Sequence, residues 1–199
     1  RKGRERDKTV NTAATYVTAH GLYEAQINGK RVGDAYLTPG WTSYNKRLQY
    51  QAYDVTNLVK DGDNAIAVTL GDGWYRGNFS FDHKRNTYGK DIALLFQLEL
   101  VYADGTTATI VSDASWKSST GAIRSNGIYQ GEIVDARQEK NGWTIAGYDD
   151  QSWTAVKTAN FSKDILVATY NEPIKKHETF PSLKLINTPK GEKVIDFGQ

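Results

Sequence analysis

The chain has 199 residues, 25 basic and 23 acidic, a net charge of +2, 39% hydrophobic residues and no cysteine. Its scattered, nearly balanced charges argue against a nucleic-acid partner, and no stretch approaches the ~20 apolar residues of a membrane span. Lack of cysteine removes disulfides, thiolate catalysis and sulfur-ligated metals, while the length suits one large all-β domain or one and a half ordinary ones, able to bury roughly 70% of the unfolded surface.

Short segments rich in β-branched and aromatic residues alternate with turn clusters at the spacing of a sandwich, and helical periodicity is scarce. Strands are expected at 13–18 and 22–27. Asn28-Gly29 follows, the strongest two-residue hairpin signal, because a type I′ turn needs positive φ at both central positions. It would join residues 19–27 to 30–36, and Pro39-Gly40 marks the next turn. Further strands are expected at 48–54 and 64–71, with a short helical turn at 55–58 capped by Asp54 or Thr56. In the segment 92–102, Leu94, Phe96, Leu98 and Leu100 stand against Gln97 and Glu99, the period-2 mark of a half-buried strand. Ala103-Asp104-Gly105 turns that strand onto one at 106–112. A strand at 132–135 and a second short helical turn at 149–153 follow.

Beyond about residue 156 the texture changes, with Pro173, Pro181 and Pro189 in the last 27 residues. The expected organisation is a β-sandwich over residues 1–165, a linker over 166–182, and a hairpin over 183–199. That hairpin joins strands at 183–185 and 193–197 across Pro189-Lys190-Gly191, and is expected to dock on the first domain, since a lone hairpin is marginal. The chain opens without methionine and closes directly after a strand, so both ends read as cuts in a longer polypeptide.

Catalytic chemistry is sparse. His20, His83 and His177 lie far apart without the spacing of a zinc site. Asp72 and Glu132 sit in glycine-rich loops, where turn geometry by itself explains an acidic residue. The glycines of 70–77 are interleaved with aromatics and Arg76, which a phosphate-cradling loop would not tolerate. No catalytic residue is therefore assigned.

Sugar binding is the positive chemical hypothesis. It requires a flat aromatic face for the apolar side of a pyranose and planar polar groups for its hydroxyls. Trp74, Tyr75 and Arg76 with Asp72 and Asn78 form one such group. Trp41, Tyr44 and Asn45 form a second, and Tyr129, Gln130 and Glu132 a third. The competing reading is that a glycine-flanked tryptophan plugs the edge of a sandwich core; it applies to Trp41 and Trp74, and more strongly to Trp116, Trp143 and Trp153.

Gly21-Leu22-Tyr23-Glu24, Ile27-Asn28-Gly29-Lys30-Arg31-Val32-Gly33, Leu37-Thr38-Pro39-Gly40-Trp41-Thr42, Tyr50-Gln51-Ala52-Tyr53-Asp54-Val55-Thr56 and Leu70-Gly71-Asp72-Gly73-Trp74-Tyr75-Arg76-Gly77 occur in this order. Tyr129-Gln130-Gly131-Glu132, Asp135-Ala136-Arg137, Gly142-Trp143 and Tyr148-Asp149-Asp150-Gln151-Ser152-Trp153 follow. The chain thereby resembles, over nearly its whole length, the N-terminal domain of bacterial α-L-rhamnosidases of glycoside hydrolase family 78. The closing Val194-Ile195-Asp196-Phe197-Gly198-Gln199 resembles the strand leading toward that family's catalytic region.

The resemblance implies a jelly-roll β-sandwich, as in many carbohydrate-binding modules, upstream of an (α/α)6 barrel where two carboxylates perform inverting hydrolysis. No position here matches the barrel motifs, so the chain alone is expected to be inactive. It is expected to be an accessory domain that aids recognition of a rhamnose-containing glycan, or else one that simply packs against the barrel of the same polypeptide. Rhamnose carries a C5 methyl, which suits an aromatic floor. Localisation implied by the resemblance is periplasmic or secreted.

No cofactor is assigned, and calcium is the one metal left open. Some modules resembling this one bind rhamnose through calcium held by loop oxygens. Here the loop 42–47 has no carboxylate and carries Lys46 and Arg47, which repel a dication; Asp72, Asn78 and Asp82 remain as oxygen donors.

Overall fold

The computed structural model describes residues 2–4, 8–78 and 84–198, the first three through their backbone alone. Its first half contains β1 (Lys2–Arg4), β2 (Val10–His20), β3 (Leu22–Ile27), β4 (Lys30–Arg31), β5 (Ala35–Tyr36), β6 (Leu48–Asp54), β7 (Asn64–Gly71), β8 (Ala93–Tyr102) and β9 (Thr107–Val111). A 3-10 turn at Thr56–Leu58 precedes β7, and a single α-helical turn, α1 (Gly73–Arg76), follows it. Later come β10 (Lys117–Ser118), β11 (Ile123–Gly127), β12 (Gly131–Val134), β13 (Thr154–Ala155), β14 (Leu166–Ala168), β15 (Ile174–Lys175), β16 (Lys184–Asn187) and β17 (Lys193–Asp196). The protein is an all-β jelly-roll sandwich of a five-stranded sheet, ordered β14-β6-β2-β8-β9, and a four-stranded sheet, ordered β1-β7-β3-β4.

Period-2 alternation builds the core between these sheets. Ala13, Thr15, Val17 and Ala19 of β2 are buried beside Phe96, Leu98 and Leu100 of β8, and Tyr23, Ala25 and Ile27 of β3 face them. Burying such side chains is the main stabilising term, about 1.5–3 kcal/mol for each large apolar one. The two buried threonines of β2 keep their hydroxyls satisfied: Thr15 Oγ1 donates to the Gln97 carbonyl at 2.8 Å and Thr18 Oγ1 to that of Gln49 at 2.6 Å. Trp116 is buried against Phe96, ring centroids 5.6 Å apart, with its Nε1 donating to the Val111 carbonyl at 3.0 Å. Trp143 and Trp153 pack against each other at 5.9 Å. These three tryptophans are packing residues.

The strands at 22–27, 48–54 and 64–71 fall within their expected bounds. Asn28 and Gly29 have φ of 52° and 78°, as the type I′ turn demands. The returning arm is shorter than expected: β4 pairs with β3 only at Lys30 and Arg31. The chain then leaves the sheet, and β5 pairs with the distant β15 instead. Thr56–Leu58 forms the expected helical turn, with Asp54 Oδ1 accepting from the Thr56 amide at 2.9 Å. Residues 149–153 form no helix; Asp149 Oδ1 accepts from the Gln151 amide and Trp153 N–H donates to the Asp150 carbonyl, closing a turn. β11, without apolar alternation, was not expected and pairs with β12.

The region expected to be a linker contributes two strands. β14 adds to the main sheet as a parallel edge strand along β6, in register Leu166 with Leu48. Its triplet is too short to signal a strand locally, and only the free edge of β6 makes one of it. β16 and β17 form the anticipated hairpin, with Leu185 opposite Ile195. They do not dock as expected: Leu183, Leu185, Val194, Ile195 and Phe197 are all exposed.

Candidate functional site

The loops that leave β5 and β7 converge at one end of the sandwich. The first is anchored through Thr38, whose carbonyl accepts from the Tyr23 amide and whose hydroxyl donates to the Tyr23 carbonyl, both at 2.9 Å. Buried Gln51 reinforces it, donating from Nε2 to the Pro39 carbonyl at 3.1 Å and to Thr169 Oγ1 at 2.6 Å. Trp41 leaves this anchored turn at the surface, 50% exposed. A second turn then closes on itself: the Lys46 and Arg47 amides donate to the Ser43 carbonyl at 2.8 and 2.9 Å, and Thr42 Oγ1 donates to the Arg47 carbonyl at 2.6 Å.

From the other loop, α1 brings Trp74 against Trp41. Their rings are nearly parallel, 12° apart in plane, with centroids 6.1 Å apart. That is the offset-stacked arrangement aromatic pairs favour. Trp41 Nε1 donates to the Tyr88 hydroxyl at 3.3 Å.

Beneath the indoles lies a small separate core of buried Tyr44, Leu48 and Tyr75, with Trp74, Tyr88 and Leu166 packed on it. Tyr44 meets Tyr75 and Tyr88 edge-on at 5.5 and 4.9 Å, and its hydroxyl donates to the Gly40 carbonyl at 2.8 Å. Tyr75 stacks on His20 at 4.6 Å and 11°, and Phe161 caps that histidine edge-on at 4.5 Å. Burial pushes the Tyr44 and Tyr75 phenols above their ordinary range, with Tyr88 and Asp91 respectively adding to the effect. It pushes His20 down. Gly89 is needed here for close approach, since a Cβ on it would stand 2.3 Å from the Tyr75 hydroxyl.

Electrostatics at the site centre on Asp72. Its Oδ1 accepts from Arg76 Nε at 2.8 Å and its Oδ2 from Arg85 Nη2 at 2.7 Å. Two guanidiniums thus share one carboxylate whose side chain is mostly buried, tying α1 to the segment that begins at residue 84.

The expected sugar-contact residues therefore take three different positions. Trp41 and Trp74 form the surface pair, with Asn45 exposed on the adjoining turn and Asn78 half-buried after α1. Tyr44 and Tyr75 are inside, supporting the indoles and presenting no ring face to solvent. Asp72 and Arg76 are spent largely on each other and on Arg85. Both oxygens of Asp72 carry an arginine, which weakens it as a calcium ligand; Asp82 and His83 lie outside the described residues. Among the described residues no three His, Asp or Glu side chains gather as a metal cluster. Tyr129, Gln130 and Glu132 are exposed on or beside the β11–β12 turn.

Sequence reasoning missed His20, Tyr88, Arg85 and Phe161. His20 ends a strand and Phe161 lies in a polar stretch, so neither carries a local signal. The juxtaposition Tyr88-Gly89 was the one available hint of a ring packed closely against backbone.

The sequence matches the family described as α-L-rhamnosidase N-terminal domain over residues 8–178. It is 45% identical over 193 residues to an α-L-rhamnosidase of Streptomyces avermitilis, covering 96% of this chain and 19% of that protein. An α-L-rhamnosidase of an Alteromonas species is 36% identical over 197 residues, covering 97% of this chain and 21% of its own length. Among solved structures, the native α-L-rhamnosidase from Aspergillus terreus superimposes with a TM-score of 0.93 at 43% identity, covering all of this chain and 23% of that one. The Streptomyces avermitilis enzyme in complex with L-rhamnose gives 0.92 at 43% identity, over all of this chain and 19% of its own. The chain thus spans about a fifth of the length of these relatives. With the sandwich, the ordered motifs and these matches in agreement, the chain belongs to the α-L-rhamnosidase N-terminal domain family.

Proposed function

We propose that this chain is a non-catalytic, sugar-recognising module of an α-L-rhamnosidase whose catalytic barrel hydrolyses terminal α-L-rhamnosides. The observation that carries the reading is the Trp41–Trp74 stack, exposed at Trp41 and held from below by buried tyrosines. A pyranose offers one apolar face, and a rigid indole can cover it without loss of side-chain freedom, because the ring is already fixed by stacking and by the bond to Tyr88. Hydroxyls would be met by Asn45 and Asn78 on the flanking loops. Titrating the chain with L-rhamnose, with and without calcium, should quench or shift tryptophan fluorescence. No change at millimolar sugar in either condition would sink this reading. Aryl-rhamnosides should release no chromophore with this chain alone.

A second role follows from the exposed apolar faces of β16 and β17, where Leu183 is 67% and Leu185 58% exposed. Such a surface suits packing against the remainder of the parent polypeptide, including its barrel. Leu185→Lys with Ile195→Lys in the full-length parent should lower its thermal stability while leaving the sugar response of the chain intact.

A further inference from the structure

The paired indoles stand on loops that are net positive. Residues 41–47 and 72–91 together carry six basic and three acidic residues, whereas the remainder carries 19 and 20. The local excess therefore exceeds the net +2 of the whole chain, and it is concentrated on the two loops that bear Trp41 and Trp74.

The cations divide by how they are engaged. Arg76 and Arg85 converge on Asp72, so one positive charge remains after that carboxylate is neutralised. The Arg85 side chain is 52% exposed and its bond to Asp72 uses Nη2, leaving further N–H donors of the guanidinium fork. Lys46, Arg47 and Lys84 are exposed, and among the described residues they make no ion pair. The hydroxyl bond from Thr42 to the Arg47 carbonyl closes the turn that carries Lys46 and Arg47 and that starts at the residue after Trp41. Long flexible cations on a fixed turn, and a guanidinium oriented by a carboxylate on the loop that packs against this turn through Tyr44 and Tyr88, form an anion-receiving rim. Arginine suits this role because its planar fork matches carboxylate or sulfate oxygens.

We infer that the Trp41–Trp74 platform takes an acidic saccharide, in which a neutral ring lies on the indoles and an adjoining sugar carries a carboxylate or sulfate held by Arg85, Lys46 and Arg47. This inference rests on the platform being a sugar site. The anion replaces solvent and counterions around these exposed cations, so it adds affinity that a neutral sugar lacks and that salt screens.

The test titrates the chain with three disaccharides that share a rhamnose residue: one neutral, one joined to a uronic acid, and one sulfated, each at about 20 mM and 300 mM salt. The acidic ligands should bind at least tenfold more tightly than the neutral one at low salt and lose most of that advantage at high salt. The triple variant Lys46→Gln, Arg47→Gln, Arg85→Gln should bring the acidic-to-neutral affinity ratio toward one, and Trp41→Ala should weaken all three ligands. A preference for the uronate over the sulfate, or the reverse, identifies which anion the rim accepts. Equal binding of neutral and acidic ligands, or a ratio unmoved by the triple variant, overturns the acidic specificity and leaves the platform standing. Failure of all three ligands to bind overturns both. Circular dichroism on each variant separates lost binding from lost fold.

Discussion

Trp41 and Trp74, 33 positions apart in sequence, stack with their rings 12° from parallel and their centroids 6.1 Å apart. Each comes from a different loop, and the loops meet because Tyr44 and Tyr75, close neighbours of the two tryptophans, pack edge to face beneath them. The surface pair and the buried pair are thus one construction.

Trp41→Ala removes the exposed half of the stack without opening the main core. Folding should weaken by about 1 kcal/mol, the scale of an aromatic pair. If the platform binds sugar, the fluorescence-detected affinity for rhamnosides should fall at least tenfold, about 1.4 kcal/mol. Urea denaturation and the sugar titration on the same sample check both.

Phe96→Ala should behave in the opposite way. Phe96 is fully buried between the sheets, in the first half of β8, so its truncation leaves a cavity and costs about 3–5 kcal/mol. Chemical denaturation should show this as a lowered midpoint with little change in slope. Sugar binding, where the folded state persists, should be unaffected.

Asp72→Asn removes the charge that two arginines share. The contacts are partly solvent-exposed at the arginines, so the stability loss should stay at about 1 kcal/mol or less. Release of Arg85 from its anchor should speed tryptic cleavage after that residue, measured by mass spectrometry of a limited digest.

His20 should make stability depend on pH in a defined window. It is stacked on Tyr75 and capped by Phe161, and among the described residues its Nδ1 is buried without a hydrogen-bond partner. Burial lowers its pKa from the ordinary 6.5, so the unfolded chain takes up the proton before the folded one does. The neutral histidine is therefore fully accommodated above about pH 6.5, and stability declines as pH falls below that value toward the lowered folded pKa. The slope is at most about 1.4 kcal/mol per pH unit for one proton. Asp34, Asp54, Asp104 and Asp135 have carboxyls held below their ordinary 3.8, so they act only in stronger acid. His20→Phe keeps the stack and should flatten the wild-type slope between pH 6.5 and 5; an unchanged slope would reject the assignment to His20.

What the sequence alone determined was local or strictly periodic. Alternation in 92–102 marked which side chains enter the core, Asn28-Gly29 dictated a tight turn, and the motif order carried the family. These follow from strand geometry and from the φ values that two residues can adopt, which need no distant partner. The tertiary structure decided the rest. Trp74 and Tyr75 are adjacent and both aromatic, yet one stacks at the surface and the other is buried, because His20, Tyr44 and Tyr88 arrive from distant segments to enclose only the second. Likewise Asp72 reads as a free loop acid until Arg85 is brought to it, and Leu166–Ala168 becomes a strand only because β6 offers an open edge. A residue's role in this site depends on which surfaces the fold brings against it, and that information is carried by long-range packing.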